Sequence, residues 1–435
     1  MVTANYLLKE DERVLVDQQT NQLNEKYSIK NGIAATMVLN MSTNYFPLFA
    51  IGVLSASNYQ VSLISSLPQF VGMFAVILGS ILLNQQNNKK KFTAYSILYT
   101  RLFLVFMLFS LYVPKDYRSW VFVILVGLMN FPGSFANLSW QAFIGDLIPE
   151  QRRSIFFSER NKILTIVGVA TTFLIGLILQ QFQKDNPLPY EFLFAFSFAA
   201  GVMEVFYLMK HIEPENKKEH KQKKLFSRAN WRIFGDKPFR YFLFCGLFFN
   251  FAWQMSWPLF SIYQIRDAHA NGLWISFFSV ANQIAQIISF KWWGKMADKH
   301  GNAKMMILVS IGMATTPVLT VLSSNLIYLT IVNASSGLFV SGTVLLLFNQ
   351  LLEVTNEKNR STYISSYNIF LAIIGFASPQ LGVYLLEQTS IEISMSISTL
   401  LRIVSGLLFY FLYIYLKNTL KQSPAFDKNH GNLGV

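Results

Sequence analysis

Apolar blocks of about 20 residues recur along almost all of this 435-residue chain, separated by short polar segments. A helix of that length crosses a hydrocarbon core about 30 Å thick. The chain is 52% hydrophobic and only 14% charged, whereas soluble domains carry about 25% charged residues. We therefore predict an all-α, polytopic membrane protein, and dividing the chain at its polar segments predicts twelve transmembrane helices.

The longest internal polar segment separates six predicted spans from six others. This arrangement predicts two pseudo-symmetric six-helix bundles. The predicted parts are a cytoplasmic N-terminal tail (1–30), the first bundle (31–210), a cytoplasmic central loop (211–237), the second bundle (238–417) and a cytoplasmic C-terminal tail (418–435). The N-terminal tail lacks the apolar core of a cleavable signal peptide, so membrane insertion is expected to depend on the first span.

The net charge of +13 is distributed as a topology signal. With a cytoplasmic N-terminus, 30 of the 36 Lys and Arg residues lie in or at the edges of cytoplasmic segments. The outer loops hold four, Lys115, Arg118, Lys184 and Arg266. Because cytoplasmic loops of membrane proteins are enriched in Lys and Arg, we predict a multi-pass protein of the plasma membrane with both termini in the cytoplasm. This distribution argues against nucleic acid as a partner.

Both halves of the chain contain the same charged loop, displaced by 207 residues. An acid, Asp146 or Glu353, is followed after six residues by an arginine, Arg153 or Arg360. A repeat of about half the chain indicates internal duplication, which is common among transporters. We predict that these charges bind helix ends or opposite charges while an inner gate is shut, and separate when it opens. The alternative is that they are loop anchors that set topology.

The loop between the eighth and ninth predicted spans carries a motif. It reads Gly-Lys-Met-Ala-Asp-Lys-His-Gly-Asn-Ala-Lys from Gly294 to Lys304. With the six-plus-six layout, it resembles the signature loop of the major facilitator superfamily, and the surrounding sequence looks most like bacterial permeases of that superfamily. The first-half counterpart, 79–91, keeps a glycine and lysines but lacks the aspartate and the second glycine. The resemblance implies the major facilitator fold, a monomer, alternating access, and conformational roles for Gly294, Asp298 and Gly301.

Uncharged polar residues lie on single faces of several predicted spans. Asn130, Ser134, Asn137 and Gln141, for example, have the spacing of one helical face. Because polar side chains are costly toward lipid, such a face should point into the bundle or a water-filled cavity. The predicted substrate cavity comprises Asn40, Asn44, Gln69, Asn130, Ser134, Asn137, Gln141, Asn250, Trp253, Gln254, Trp257 and Gln283. The alternative is hydrogen bonding between helices.

Glu204 is the one acid deep within a predicted span, and Arg101 and Arg402 are the deep bases. Since intramembrane carboxylates often carry protons in coupled transporters, Glu204 is a candidate for proton coupling. Alternatively, it reaches the membrane interface or pairs with Arg101.

We predict a secondary transporter of a small, neutral or weakly charged solute, such as a sugar-like compound. The chain has no nucleotide-binding glycine loop, and its single cysteine, Cys245, has no metal-ligand spacing. Neither a cofactor nor an enzymatic activity is therefore expected. Two alternatives stay open, which are proton-driven export of lipophilic compounds and a non-transporting sensor or partner on a transporter fold.

Overall fold

The computed structural model describes residues 2–85, 88–213, 233–356 and 360–422. Their side chains are described except for residues 2–18 and several positions beside loops, Asp146 among them. Most of the predicted central loop and residues 423–435 of the predicted C-terminal tail lie outside the described residues.

The described residues form fourteen α-helices and no β-strand. In lipid, an unpaired backbone N–H or C=O costs several kcal/mol, and a helix pairs these groups within one segment. The helices are α1 (Val2–Met41), α2 (Phe46–Gly52), α3 (Asn58–Gln85), α4 (Lys89–Phe109), α5 (Lys115–Leu147), α6 (Glu150–Gln180), α7 (Leu188–Met209), α8 (Lys237–Met255), α9 (Trp257–Ile262), α10 (Gly272–His300), α11 (Asn302–Val321), α12 (Leu326–Glu353), α13 (Arg360–Gln388) and α14 (Ile391–Gln422).

Ten helices within the described ranges are long and apolar enough to cross a membrane. They are α3 to α7 and α10 to α14. The all-α membrane fold is thus confirmed, while the count of twelve spans stays a prediction. The two predicted spans without such a helix, 31–56 and 238–264, are the ones that the structure interrupts.

Both interruptions lie just before a proline. After α1, a 3₁₀ turn at Thr43–Tyr45 leads into α2, which has Pro47 in its first turn. After α8, Ser256 leads into α9, which has Pro258 in its first turn. Proline lacks a backbone N–H, and this costs least in the first turn of a helix, where that N–H would have no helical partner. The sequence analysis drew one span across each break, and apolar composition does not reveal where such a break lies.

The predicted boundary of the N-terminal tail, at residue 30, lies inside a continuous helix. α1 runs from Val2 to Met41, so the polar tail and the start of the first predicted span share one element. Asn24 and Ser28 are already buried within it.

The chain divides into two compact units, Met1–Lys223 with Asn271–Ser276 and Lys224–Ala270 with Phe277–Val435. The first unit has a cluster of aromatic rings near the α1 to α2 interruption. Phe49 packs against Phe122, Tyr190 and Phe194 with ring centroids 5.1, 5.2 and 5.3 Å away. Edge-to-face contacts of this kind add to the gain from burial, so they hold α2 within the unit.

The second unit has its own core. Phe239, Phe242, Phe249, Trp293 and Phe409 are at most 2% exposed and belong to one cluster. Both units also expose large apolar side chains on their helices, as expected for surfaces that face lipid.

Candidate functional site

In the first unit, Asn40 is the centre of a small polar network. Its Nδ2 donates to Thr36 O at 2.8 Å, and its Oδ1 accepts from Thr172 Oγ1 at 2.9 Å and from Asn44 Nδ2 at 3.0 Å. Gly168, on the same helix as Thr172, lies close by, since a Cβ there would be 3.2 Å from Asn40 Nδ2. The two predicted cavity residues of the first span therefore contact each other and α6.

The polar stripe of the fourth predicted span lies along α5. Asn130 and Ser134 are half-buried, and Asn137 and Gln141 are exposed. Asn130 Nδ2 donates to Val126 O of its own helix at 2.8 Å, and Gln141 Nε2 donates to Asn137 Oδ1 at 3.1 Å. Most of this stripe therefore remains available to a ligand or to water.

Gln69, on α3, is half-buried. The same helix lies close to the α5 stripe one turn later, because a Cβ at Gly72 would be 3.2 Å from Ser134 Oγ. The glycine lets the two helices approach closely at this point.

In the second unit, Asn250 and Gln254 of α8 are buried, with 4% and 3% exposure. Asn250 Nδ2 donates to Tyr367 Oη at 3.1 Å and to Gly246 O at 2.8 Å. Gln254 Oε1 has no hydrogen-bond partner among the described residues. Sequence reasoning missed Tyr367, because a tyrosine in an apolar span gives no periodic signal.

Trp253 and Trp257 lie on either side of the α8 to α9 break. Their rings meet edge to face with centroids 5.6 Å apart, and both are half-buried. Gln283, on α10, is also half-buried. Trp253, Gln254 and Trp257 thus all lie within a few residues of the break between α8 and α9.

Arg153 of the first repeated loop binds a helix end. Its Nε donates to Ile148 O at 3.0 Å and its Nη2 donates to Gly145 O at 2.5 Å. These carbonyls belong to the last residues of α5, whose C-terminus carries partial negative charge. The side chain of Asp146 lies outside the described residues.

In the second repeated loop, Glu353 ends α12 and Arg360 begins α13. Asn302 Nδ2 donates to Glu353 Oε1, and Asn302 Oδ1 accepts from Asn349 Nδ2 at 3.4 Å. Asn302 follows the second glycine of the signature loop, so this amide links the loop to the acid of the repeat. Asn302 belongs to the motif quoted from the sequence, but no role was predicted for it.

The signature loop is a tight connection between α10 and α11. Gly301 is its one linking residue and has φ +83°, which a residue with a side chain adopts only at a cost. Asp298 is exposed on the last turn of α10, and Gly294 lies one turn earlier. The backbone conformation at residue 301 therefore explains why a glycine occupies this position of the loop.

Glu204, on α7, forms a buried ion pair with Arg101 of α4. The distance from Oε2 to Arg101 Nη2 is 2.9 Å, and the side chains are 5% and 12% exposed. A Cβ at Gly201 would lie 2.5 Å from Arg101 Cγ, so this glycine makes room for the arginine. Pairing with Arg101, the alternative given above, is what the structure contains.

A second arginine borders the Glu204 pair. Arg160 Nε donates to Ser28 O at 3.3 Å, and its guanidinium lies 4.6 Å from the centre of the Trp140 ring. Asn31 Nδ2 donates to Glu204 O at 2.8 Å. One carboxylate and two guanidinium groups are thus held between helices α1, α4, α6 and α7.

The end of α7 packs against α1 through His211. Asn24 exchanges two hydrogen bonds with the backbone of Ile212, at 2.8 and 2.9 Å. His211 is 2% exposed and its Nδ1 donates to Leu208 O at 2.9 Å. Its Nε2 has no partner among the described residues. Burial lowers the pKa of His211, and the charge of Lys90 lowers it further.

Metal-binding groups were not expected, and the described residues contain no cluster of three His, Cys, Asp or Glu side chains.

The family model described as Major Facilitator Superfamily matches residues 31–280 and 242–432 of the chain. Among solved structures, the chain is similar to a point mutant of the nucleoside transporter NupG, with a TM-score of 0.72 and 10% identity over 89% of this chain and 100% of that one. A D-xylose-proton symporter matches with a TM-score of 0.67 and 12% identity over 89% and 97% of the two chains.

A bacterial homologue of the human lysosomal transporter Spinster, in an inward-facing and unoccupied conformation, matches with a TM-score of 0.63 and 12% identity over 92% and 98%. At such identities the likeness shows the fold. No curated protein matches the sequence.

Proposed function

Because the chain belongs to the Major Facilitator Superfamily, we propose that it moves a small, neutral or weakly charged solute across the plasma membrane by alternating access. In this mechanism two halves rock about a site near the middle of the membrane and expose it to each side in turn. The protein acts as a monomer in this proposal.

The observation that carries the substrate class is the uncharged polar chemistry around Gln254. Its Oε1 is buried and has no partner among the described residues, which costs about 1–3 kcal/mol for a polar group. A solute hydroxyl or N–H that donates to this oxygen would remove that cost. Trp253 and Trp257 are next to it and offer ring faces to a sugar or a base.

The names of the similar structures support a hydroxyl-rich solute. Two of them are a nucleoside transporter and a D-xylose-proton symporter, and nucleosides and xylose both carry several hydroxyl groups. Nucleosides and neutral sugars are therefore the first compounds to test for this chain.

The first experiment measures the melting temperature of the purified protein with two panels of compounds. One panel holds nucleosides, neutral sugars and amino acids, and the other holds lipophilic cations and drugs. A ligand that binds only the folded protein raises its melting temperature. We expect the melting temperature to rise with one class of hydrophilic compounds. Proteoliposomes that contain the protein should then take up compounds of that class.

A matched pair of variants then tests the site. Gln254→Leu should abolish the ligand-induced rise, while Gln286→Leu should retain it, because the Gln286 amide already donates to Asn282 at 2.6 Å. Rises with many unrelated lipophilic compounds would instead support export of such compounds. Absence of any rise or uptake would favour a non-transporting protein on this fold.

We further propose that the repeated loops act in gating. Arg153 bound to the end of α5 and Glu353 bound to Asn302 support a role in holding one conformation. Asp298, Gly294, Gly301 and Arg360 belong to the same proposal. Asp298→Asn should lower the rate of uptake and leave the affinity measured by the melting-temperature assay unchanged, and equal losses of both would contradict a gating role.

Proton coupling through Glu204 is proposed as the energy source. Glu204 is a carboxylate that is only 4% exposed, and a proton bound there would separate it from Arg101. An ion pair that persists throughout transport is the alternative. Glu204→Gln should abolish accumulation driven by a pH gradient while leaving ligand binding intact. Retained pH-driven accumulation in this variant would exclude Glu204 as the coupling site.

The proposed orientation places both termini in the cytoplasm. Cys245 is buried, so a membrane-impermeant maleimide should react weakly with the natural protein. In intact cells it should label Asp116→Cys, in an outer loop, and not Asp298→Cys, in an inner loop. The reverse labelling pattern would overturn the orientation.

A further inference from the structure

The break between α8 and α9 leaves backbone carbonyls without helical partners. The last four carbonyls of a helix lack an N–H donor one turn ahead, and Pro258 removes a further donor just beyond the break. The break lies within a predicted membrane span, where an unpaired carbonyl is costly. Donors from elsewhere in the second unit must therefore satisfy these oxygens.

A serine of α14 supplies one of them, since Ser398 Oγ donates to Ala252 O at 2.8 Å. A serine of α13 binds one residue earlier, since Ser378 Oγ donates to Phe251 O. Both serines are fully buried, so their hydroxyl groups are committed to the last turns of α8.

Arg402, also on α14, supplies further donors at this break. Its Nη2 donates to Trp253 O at 3.2 Å and to Ser256 Oγ, and its Nε donates to Ala252 O at 3.5 Å. The side chain is 0% exposed. A cation at the C-terminus of a helix is favourable, because that end carries partial negative charge.

The same guanidinium also donates to a carbonyl of α11 that lacks a backbone donor. Arg402 Nη1 donates to Met313 O at 2.6 Å. Pro317 lies four residues after Met313 inside α11, so that carbonyl has no helical N–H partner. The Arg402 side chain thus links the end of α8 to α11, at the carbonyl that Pro317 leaves without a backbone donor.

Each acceptor that Arg402 has among the described residues is uncharged. The planar guanidinium has five N–H groups in a fixed geometry, which suits several carbonyls at once. Its charge is therefore balanced by helix ends, and it does not change with pH because arginine stays protonated in proteins.

The residues at this break are those assigned above to the substrate. Arg402 binds the backbone of Trp253 directly, and Trp257 follows the Ser256 that it also binds. We propose that Arg402 is a positioning residue that fixes the break and so holds Trp253, Gln254 and Trp257 in place. Their contact with the substrate rests on the proposed function, whereas their positioning by Arg402 does not.

The test is fluorine NMR of the full chain in detergent, with its eight tryptophans replaced by 5-fluorotryptophan. Trp253→Phe and Trp257→Phe assign the two signals. Arg402→Gln should shift or split both signals by more than their line width and leave those of Trp120 and Trp140, in the first unit, unchanged.

Two milder variants keep the test decisive if Arg402→Gln does not fold. Ser398→Ala removes one donor to α8 and should shift the same two signals by less. Ser405→Ala is the control, since Ser405 is buried on the same helix but donates to Leu401 O of that helix at 2.8 Å. It should leave both signals in place.

Unchanged Trp253 and Trp257 signals in folded Arg402→Gln or Ser398→Ala protein would overturn the proposal. An equal shift in Ser405→Ala would overturn it too. Because the signals require no substrate, this outcome is independent of whether the protein transports a nucleoside or a sugar.

Discussion

Each half of the chain buries one arginine deep within a predicted span, and the two arginines are neutralised differently. Arg101 meets the carboxylate of Glu204 at 2.9 Å, whereas Arg402 meets backbone carbonyls and a serine hydroxyl. A carboxylate can take up a proton, and a carbonyl at these positions cannot. The first half therefore contains an ion pair that includes an acid, and the second contains a cation whose acceptors among the described residues are all uncharged.

The two helix breaks also differ in the groups that donate hydrogen bonds to their backbone carbonyls. At the break after α1, carbonyls accept from residues close in sequence: Val38 O accepts from Ser42 N at 3.1 Å and from Ser42 Oγ at 2.7 Å, and Ser42 O accepts from Tyr45 N at 3.0 Å. At the break after α8, the cation Arg402 donates to Ala252 O and Trp253 O. A shared proline position thus does not imply a shared way of satisfying the freed carbonyls.

The largest expected effect comes from separating the ion pair in the first half. Arg101→Gln leaves a buried carboxylate without its partner and should reduce the free energy of unfolding by about 3–5 kcal/mol. The double variant Arg101→Gln with Glu204→Gln should recover more than half of that loss. Thermal unfolding in detergent measures both, and a double variant as unstable as the single one would contradict this account.

Removing the cation of the second half should cost somewhat less. Arg402→Gln leaves no unpaired charge. It deprives Met313 O of its donor, while Ala252 O and Trp253 O keep those from Ser398 and Ser256, and we expect a loss of about 1–3 kcal/mol. Pro317→Ala restores an N–H for Met313 O, so a double-mutant cycle between Arg402 and Pro317 should show a coupling of about 1 kcal/mol. Additive effects would mean that the carbonyl is satisfied in another way.

The neighbouring arginines of the first loop offer a matched pair. Arg153 is half-buried and donates to two carbonyls, so Arg153→Ala should destabilise the protein by about 1 kcal/mol. Arg152 pairs with Glu25 at 2.8 Å but is 53% exposed. Arg152→Ala should leave the melting temperature unchanged, because exposed pairs contribute little. A larger drop for Arg152→Ala would reverse the assignment.

The smallest effect is a pH dependence at His211. Its pKa is lowered in the folded protein, while an unfolded histidine titrates near 6.5. The unfolded chain therefore binds a proton first, so this contribution to stability is complete above about pH 6.5 and falls as the pH decreases through that value. The added proton would lie on Nε2, which has no acceptor among the described residues.

The measurement compares melting temperatures at pH 7.5 and 5.5. The natural protein should lose more stability on acidification than His211→Gln, which cannot titrate. Lys90 and Arg160 are the charged groups that act on the imidazole. Equal losses in the two proteins would show that His211 does not carry the effect.

Sequence reasoning identified the elements of the site better than their contacts. The stripe from Asn130 to Gln141 lies on one helix, as its spacing predicted. Gly301 has φ +83°, a backbone conformation that the motif alone did not predict. Asn40, however, uses its amide within a network that includes Thr172, 132 residues away, and no local pattern reveals such a partner.

Composition and periodicity determined the membrane class and the duplicated loops, because each depends on local properties that repeat along the chain. The motif from Gly294 to Lys304 carried the resemblance to the family. Only the tertiary structure decided where the buried charges are neutralised. The partners of Arg101 and Arg402 come from helices distant in sequence. The sequence places two arginines within predicted spans, but it does not show whether each contacts a carboxylate or a freed carbonyl. That choice depends on which helix ends pack against which side chains.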